Sequence, residues 1–241
     1  MRHLLLWLTC CCALPALAEV GKVAQLEGEA TRTAPGGTAE VLQAGSAIEV
    51  GDELSVQPGG NLALLLTDES TLVLAGGSRL KIDEATFSGL ERQAFSARLL
   101  LGTVWAKVKK AVAGSPAKFD ITTDRAVAGV RGTTFQVEVV GEELRVDVEE
   151  GLVEVAQGEG SPGQAQPEAR RVHQVRGGER LRLLRASVLR ERFAGPRGQF
   201  GQFIRATRDR MEKLHRALPE KKLPERRQHQ REQMRERRNS R

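Results

Sequence analysis

The sequence predicts an all-β domain of short hairpins, in a β-solenoid-like or sandwich arrangement, followed by a helical basic tail. Three observations predict it. Turn-forming residues punctuate residues 19 to 185 at about 8 to 12 positions, the spacing of sandwiches, barrels and solenoids. The chain has 25 glycines in 241 residues, and its 40% apolar content is mostly Val, Leu and Ala, with no Tyr and two Trp. From Arg190 onward there are 17 Lys or Arg against 7 Asp or Glu, a net of +10, whereas residues 1 to 189 carry a net of −4. The basic pI therefore belongs to the tail.

Residues 1–18 read as a secretory signal. Arg2 and His3 precede an apolar stretch from Leu4 to Leu14, Pro15 breaks it, and Ala16-Leu17-Ala18 gives a small-x-small cleavage pattern before Glu19. A spanning helix would need about 20 apolar residues, more than this stretch has. Trp7, Leu8 and Thr9 before Cys10 do not make a lipobox. Cys10, Cys11 and Cys12, the three cysteines of the chain, are expected to leave with the signal. The mature chain then has no disulfide, thiol nucleophile or cysteine metal site.

Residues 19–187 read as the β domain. Val20 to Leu26 ends at Gly28, and Pro35-Gly36-Gly37 is a loop. Gly51-Asp52 and Pro58-Gly59-Gly60 bound a strand at Leu54 and Val56. Leu62 to Leu66 and Leu72 to Leu74 flank a turn at Asp68 to Ser70. Gly76-Gly77 leads to Leu80 and Ile82. Phe95, Leu99 and Leu101 pass through Gly102 to Val104, Ala106 and Val108. Trp105 falls on the other face of that strand, beside Lys107, Lys109 and Lys110. It is read as core under the tail helix, with a carbohydrate- or anion-stacking surface as the alternative.

Ile121 to Val139 is the central stretch. Ala126 to Val130 is a short apolar run broken by Gly129. Phe135, Val137 and Val139 alternate with Gln136 and Glu138, a half-buried strand. Between them lies a glycine-bearing corner of Arg131, Gly132, Thr133 and Thr134. Arg131 is read as a buried, paired structural pin, with contact to a partner or anionic ligand as the alternative. Gly141-Glu142 turns into Leu144, Val146 and Val148, and Gly151 turns into Leu152 or Val153 and Val155. Val172 and Val175, Gly177-Gly178, and Leu181 and Leu183 read as a last hairpin.

Residues 188–241 are the basic tail. Phe203, Thr207, Met211, Leu214 and Leu218 fall close to helical spacing, Pro219 and Pro224 interrupt, and the remainder reads as a solvated helix or disorder.

Catalytic signatures are weak. Ser115 and Lys118 match a Ser-x-x-Lys pair by spacing, without the companion elements that chemistry needs. His173, His215 and His229 are scattered. Glu142-Glu143 and Glu149-Glu150 fall at turns and read as solvated. No cofactor, metal site or enzymatic activity is expected.

The string VRGTTFQV, with Val130, Arg131, Gly132, Thr133, Phe135 and Val137, resembles the signature of FecR-type periplasmic domains. Three further blocks resemble that family in the same order. They are the run from Gly51 to Ile82, LLLGTVWAKV at 99–108, and VDVEEGLVEV at 146–155, read as a closing hairpin. Within the first block, Asp68 and Ser70 match an Asp-Gly-Ser turn, but Glu69 replaces the glycine. The resemblance spans about residues 20 to 185, and the family also suggests a solenoid. The sequence lacks the anti-sigma segment and transmembrane helix that the best-known members carry before this domain. The resemblance therefore implies a non-catalytic, exported, periplasmic binding or sensing module that recognises an envelope protein or surface polymer. The alternative is a binder of anionic lipid or polyanion acting through the tail. Nucleic acid is not an expected partner, since the tail lacks interleaved aromatics.

Overall fold

A computed structural model describes residues 19–110, 117–158, 171–184 and 187–217. The signal stretch, Ser115 with its neighbours, most of the loop after Gly158 and the tail beyond Ala217 lie outside the described residues. The chain divides into two compact units, up to Ala194 and from Gly195.

The described residues of the first unit hold seventeen strands. They are β1 (Glu19–Glu27), β2 (Ala30–Thr33), β3 (Ala39–Val41), β4 (Ala47–Glu49), β5 (Glu53–Val56), β6 (Asn61–Leu66), β7 (Thr71–Ala75), β8 (Arg79–Ser88), β9 (Glu91–Lys107), β10 (Asp120–Thr122), β11 (Ala126–Val130), β12 (Thr134–Val140), β13 (Glu143–Glu150), β14 (Leu152–Gln157), β15 (Val172–Arg176), β16 (Glu179–Leu184) and β17 (Ser187–Arg192). One layer runs β4-β1-β6-β7-β9-β12-β13-β16-β17. The other runs β3-β2-β5-β8-β9-β10-β11-β14-β15. Both stay open, with edges at β3, β4, β15 and β17, and β9 belongs to both.

The two layers share one apolar core. Leu54, Leu80, Ile82, Phe95 and Ile121 from one layer meet Leu62, Leu64, Val104, Phe135 and Val146 from the other. This is a sandwich whose inner faces follow the period-2 alternation of their strands. The chain visits the layers in turn, as the solenoid expectation implies. The expected all-β architecture is observed, with β17 continuing the first layer past residue 187.

Two expected hairpins are instead corners between layers. β13 and β14 do not pair with each other. β13 joins β12 and β16, and β14 joins β11 and β15. The Gly177-Gly178 turn likewise passes from β15 in one layer to β16 in the other. Hairpin and corner need the same glycine chemistry, and only the later long-range pairing separates them. The Gly141 hairpin between β12 and β13 is paired as expected.

β9 changes layer through a kink. Leu80 pairs with Leu99 and Arg79 with Leu101, so one residue is bulged out at Leu100. Core positions move from odd numbers (Phe95, Ala97, Leu99) to even ones (Val104, Ala106). Gly102 sits at φ +85, and a Cβ there would lie 2.7 Å from Ser78 Cα. Ser78 Oγ fixes the kink, accepting from Thr103 N at 2.9 Å and donating to Thr103 O at 3.0 Å.

The second unit contributes α1 (Gly198–Ala217). Phe200, Phe203, Thr207 and Met211 follow at three- and four-residue steps, with Ile204 beside Phe203, as the tail spacing predicts. No helix among the described residues is long and apolar enough to cross a membrane.

Candidate functional site

The blocks singled out in the sequence converge on four turns or corners and the segment 108–110. The turn at 68–70 and the segment 108–110 meet first, because Lys109 N donates to Ser70 Oγ at 3.0 Å. Segment 108–110 then meets the corner at 131–133. Val108 N donates to Thr133 O at 2.9 Å, and a Cβ on Gly132 would lie 2.7 Å from Lys110 Cα. That corner meets 151–152, where Thr133 Oγ1 donates to Leu152 O at 3.1 Å. Finally Gly177 N donates to Gly151 O at 3.0 Å.

Gly132 has φ +91 and faces backbone, so both its conformation and its surroundings exclude a side chain. The same holds at Gly151, also at φ +91, where a Cβ would lie 3.2 Å from Gly132 O.

A buried charge pair lies beneath this end. The Arg92 side chain is 2% exposed and that of Asp68 4%, and Arg92 Nη1 is paired with Asp68 Oδ2. Arg92 also donates to Ser70 Oγ at 3.2 Å and to Lys109 O at 3.3 Å. Asp68 accepts from Ser70 N at 3.0 Å and from Ser70 Oγ at 2.8 Å. The Arg92 guanidinium lies 5.1 Å from the centroid of Phe119. Phe119 stacks on Phe95 at 4.6 Å and meets Phe135 edge-on at 6.5 Å. Burial lowers the guanidinium pKa, and Asp68 opposes that shift. Asp68, Ser70 and Phe135 therefore join one buried network, reached through Arg92 and Phe119.

The turn keeps its left-handed residue without glycine. Glu69 has φ +69, the one non-glycine residue at positive φ among the described residues, and its carboxylate pairs with Lys109. The Asp68 and Ser70 hydrogen bonds over-determine this conformation.

Val130, Thr133, Phe135 and Val137 are buried. Arg131 is exposed. The expectation of a buried, paired Arg131 is therefore corrected. Val130 points into the core, so the next side chain points out. The buried arginine of this end is Arg92, which sequence reading missed. Its position follows from a bulge: Ala94 pairs with Thr86 and Arg92 with Phe87, so Gln93 is skipped. That slip turns Arg92 inward against the parity set by Phe95 and Ala97.

Trp105 is fully buried but on the side of β9 opposite Val104 and Ala106, outside the sandwich core. Its Nε1 donates to Glu149 Oε1 at 2.6 Å. A buried, hydrogen-bonded indole is no exposed stacking platform.

A second ionic system crosses β12, β13, β16 and β17. Arg145 bonds Glu138 at 2.5 Å and Glu143 at 3.0 Å, while Arg182 bonds Glu143 at 2.6 Å and Glu191 at 3.1 Å. Arg182, then Arg145, holds the Glu143 carboxyl at about 2. Arg180 pairs with buried Asp147 at 2.5 Å and lies 5.1 Å from the Phe193 ring centroid. Among the described residues no three His, Cys, Asp or Glu side chains gather as a metal site.

Residues 52–154 match the family described as FecR protein. No curated protein matches the chain. Two crystal structures of a candidate anti-sigma factor from Parabacteroides distasonis ATCC 8503 are similar, each at 21% identity and a TM-score of 0.46. The similarity covers 58% of this chain and 59% of theirs, so the chain spans less than two thirds of their length.

Proposed function

We propose that this chain, whose residues 52–154 form a FecR domain, is an exported, non-catalytic binding or sensing module of the bacterial envelope that recognises a protein partner. One observation carries the reading. The motif shared with the family divides between a buried half, which holds the reversals together, and an exposed half centred on Arg131. The exposed Arg131 takes no part in the buried half's contacts and is open to a partner. In this reading the signal stretch is cleaved before Glu19 and the chain works in the periplasm.

In-cell photo-crosslinking from surface positions, one at a time, tests the reading. A single envelope protein recovered from several adjacent positions supports it. Crosslinks scattered over unrelated proteins, or recovery of the chain with the uncleaved signal in the cytosol, overturn it.

A further inference from the structure

Resting on that reading, we propose that the corner around Leu152 docks an acidic segment of the partner protein, with Arg131, Arg176 and Lys110 meeting its carboxylates. Leu152 is 39% exposed, and it pairs in register with Arg176. Val130 pairs with Val153 on the other side, which sets Arg131, one position further, opposite Leu152. Val130, Val153 and Val175 face the core, so Arg131, Leu152 and Arg176 share the outer face. Neighbouring strands lie about 4.8 Å apart, so the two arginine backbones stand about 10 Å apart across the leucine. Lys110 joins them, because its Cα lies against Gly132.

Arg131, Arg176 and Lys110 are all exposed. Their side chains form no ion pair among the described residues. Exposed Glu150 and Glu154 lie beside them, and Glu154 accepts from Gln174 Nε2 at 3.4 Å. Glu179 stands at the neighbouring turn, accepting from Arg176 N at 2.8 Å, so Arg131, Arg176 and Lys110 flank the leucine with Glu154 on the same face, on a chain whose first 189 residues carry a net of −4. Three cations without an ion pair around one exposed leucine draw an acidic segment to this place. Leu152 gives that partner an apolar anchor between the charges. A polymer of phosphate or sulfate groups would use the cations and leave the leucine uncovered, so a protein segment fits better.

The probe is a fluorescein-labelled Glu-Glu-Leu-Glu-Glu peptide, titrated into the full chain, with backbone amide shifts followed at residues 110, 131–133, 152 and 176. The expected result is shifts confined to those residues and a Kd weakened about tenfold or more in Arg131→Gln/Arg176→Gln. Leu152→Ser weakens this peptide but not Glu-Glu-Ser-Glu-Glu. Because the three side chains are exposed, the variants melt with the wild type. Arg79→Gln, away from the corner, leaves binding unchanged. Shifts confined to the basic tail, equal affinity in the double variant, no binding, or corner shifts produced by heparin or phosphatidylglycerol vesicles but not by the peptide each overturn the proposal. If the double variant still crosslinks a single envelope protein, the module reading stands and the corner assignment fails.

Discussion

The Asp68–Arg92 pair and the ladder across β12, β13, β16 and β17 are built from the same side-chain types, and they do different things. The first is sealed under the reversals, with Ser70, Lys109 O and the Phe119 ring supplying what water would otherwise supply. The second lies where its arginines are a quarter or more exposed, so solvent reaches the Arg145 and Arg182 contacts. Burial makes a charge pair brittle, because each partner is intolerable alone. Exposure makes it redundant, because water substitutes for either partner.

Breaking one member of the buried pair should therefore give the largest effect. Arg92→Met leaves Asp68 unpaired and should cost about 3–5 kcal/mol in urea unfolding of the full chain. Adding Asp68→Leu and Ser70→Ala should restore part of that loss, because the desolvated charge goes with them. No recovery in the triple variant would mean that the network holds the turn by geometry and not by charge.

Gly132→Ala tests the reversals above the pair. A methyl group would meet Lys110 backbone at 2.7 Å from a left-handed conformation, and the expected cost is about 1–3 kcal/mol. A chemical melt matching wild type would show that segment 108–110 yields to the methyl.

Arg182→Gln, in the ladder, should lower stability only slightly, and less at high salt. A loss as large as that of Arg92→Met would erase the distinction between the two systems.

Acid titration gives the finest separation. Glu143 is held at about 2, against an ordinary value of about 4.3. The native state thus binds the proton later than the unfolded chain does. The contribution is complete above the ordinary value and fades as pH falls through the window down to about 2. In Arg182→Gln the native carboxyl should titrate closer to its ordinary value, read from its side-chain carboxyl carbon shift. An unchanged titration would mean that Arg145 alone sets it.

The same contrast explains what was legible in the sequence. Asp68 and Ser70 stand out because a turn needs local hydrogen bonds. Their partner Arg92 lies 24 residues from Asp68, behind a bulge that inverts strand parity, and no local pattern announces a bulge. Phe135 and Val137 were readable from alternation, whereas Arg131 was misread because an arginine among apolar neighbours suggested burial. The exposed Leu152 and Arg176 carried no signal, since their adjacency exists only through the pairing of β14 with β15. Glycine doublets marked reversals correctly but could not say whether the next strand stays in its layer.

β9, common to both layers, also sets an order of assembly. Until β9 is in place, β7 and β8 each present an unpaired edge, one to each layer, and such edges template wrong pairings. β9 closes both at once and in the same act creates the surfaces on which β12 and β10 are laid. The strands after it therefore extend a finished seed, while those before it wait for one. Pulsed hydrogen exchange during refolding should find β7, β8 and β9 protected together, ahead of β15 and β17 at the growing margins.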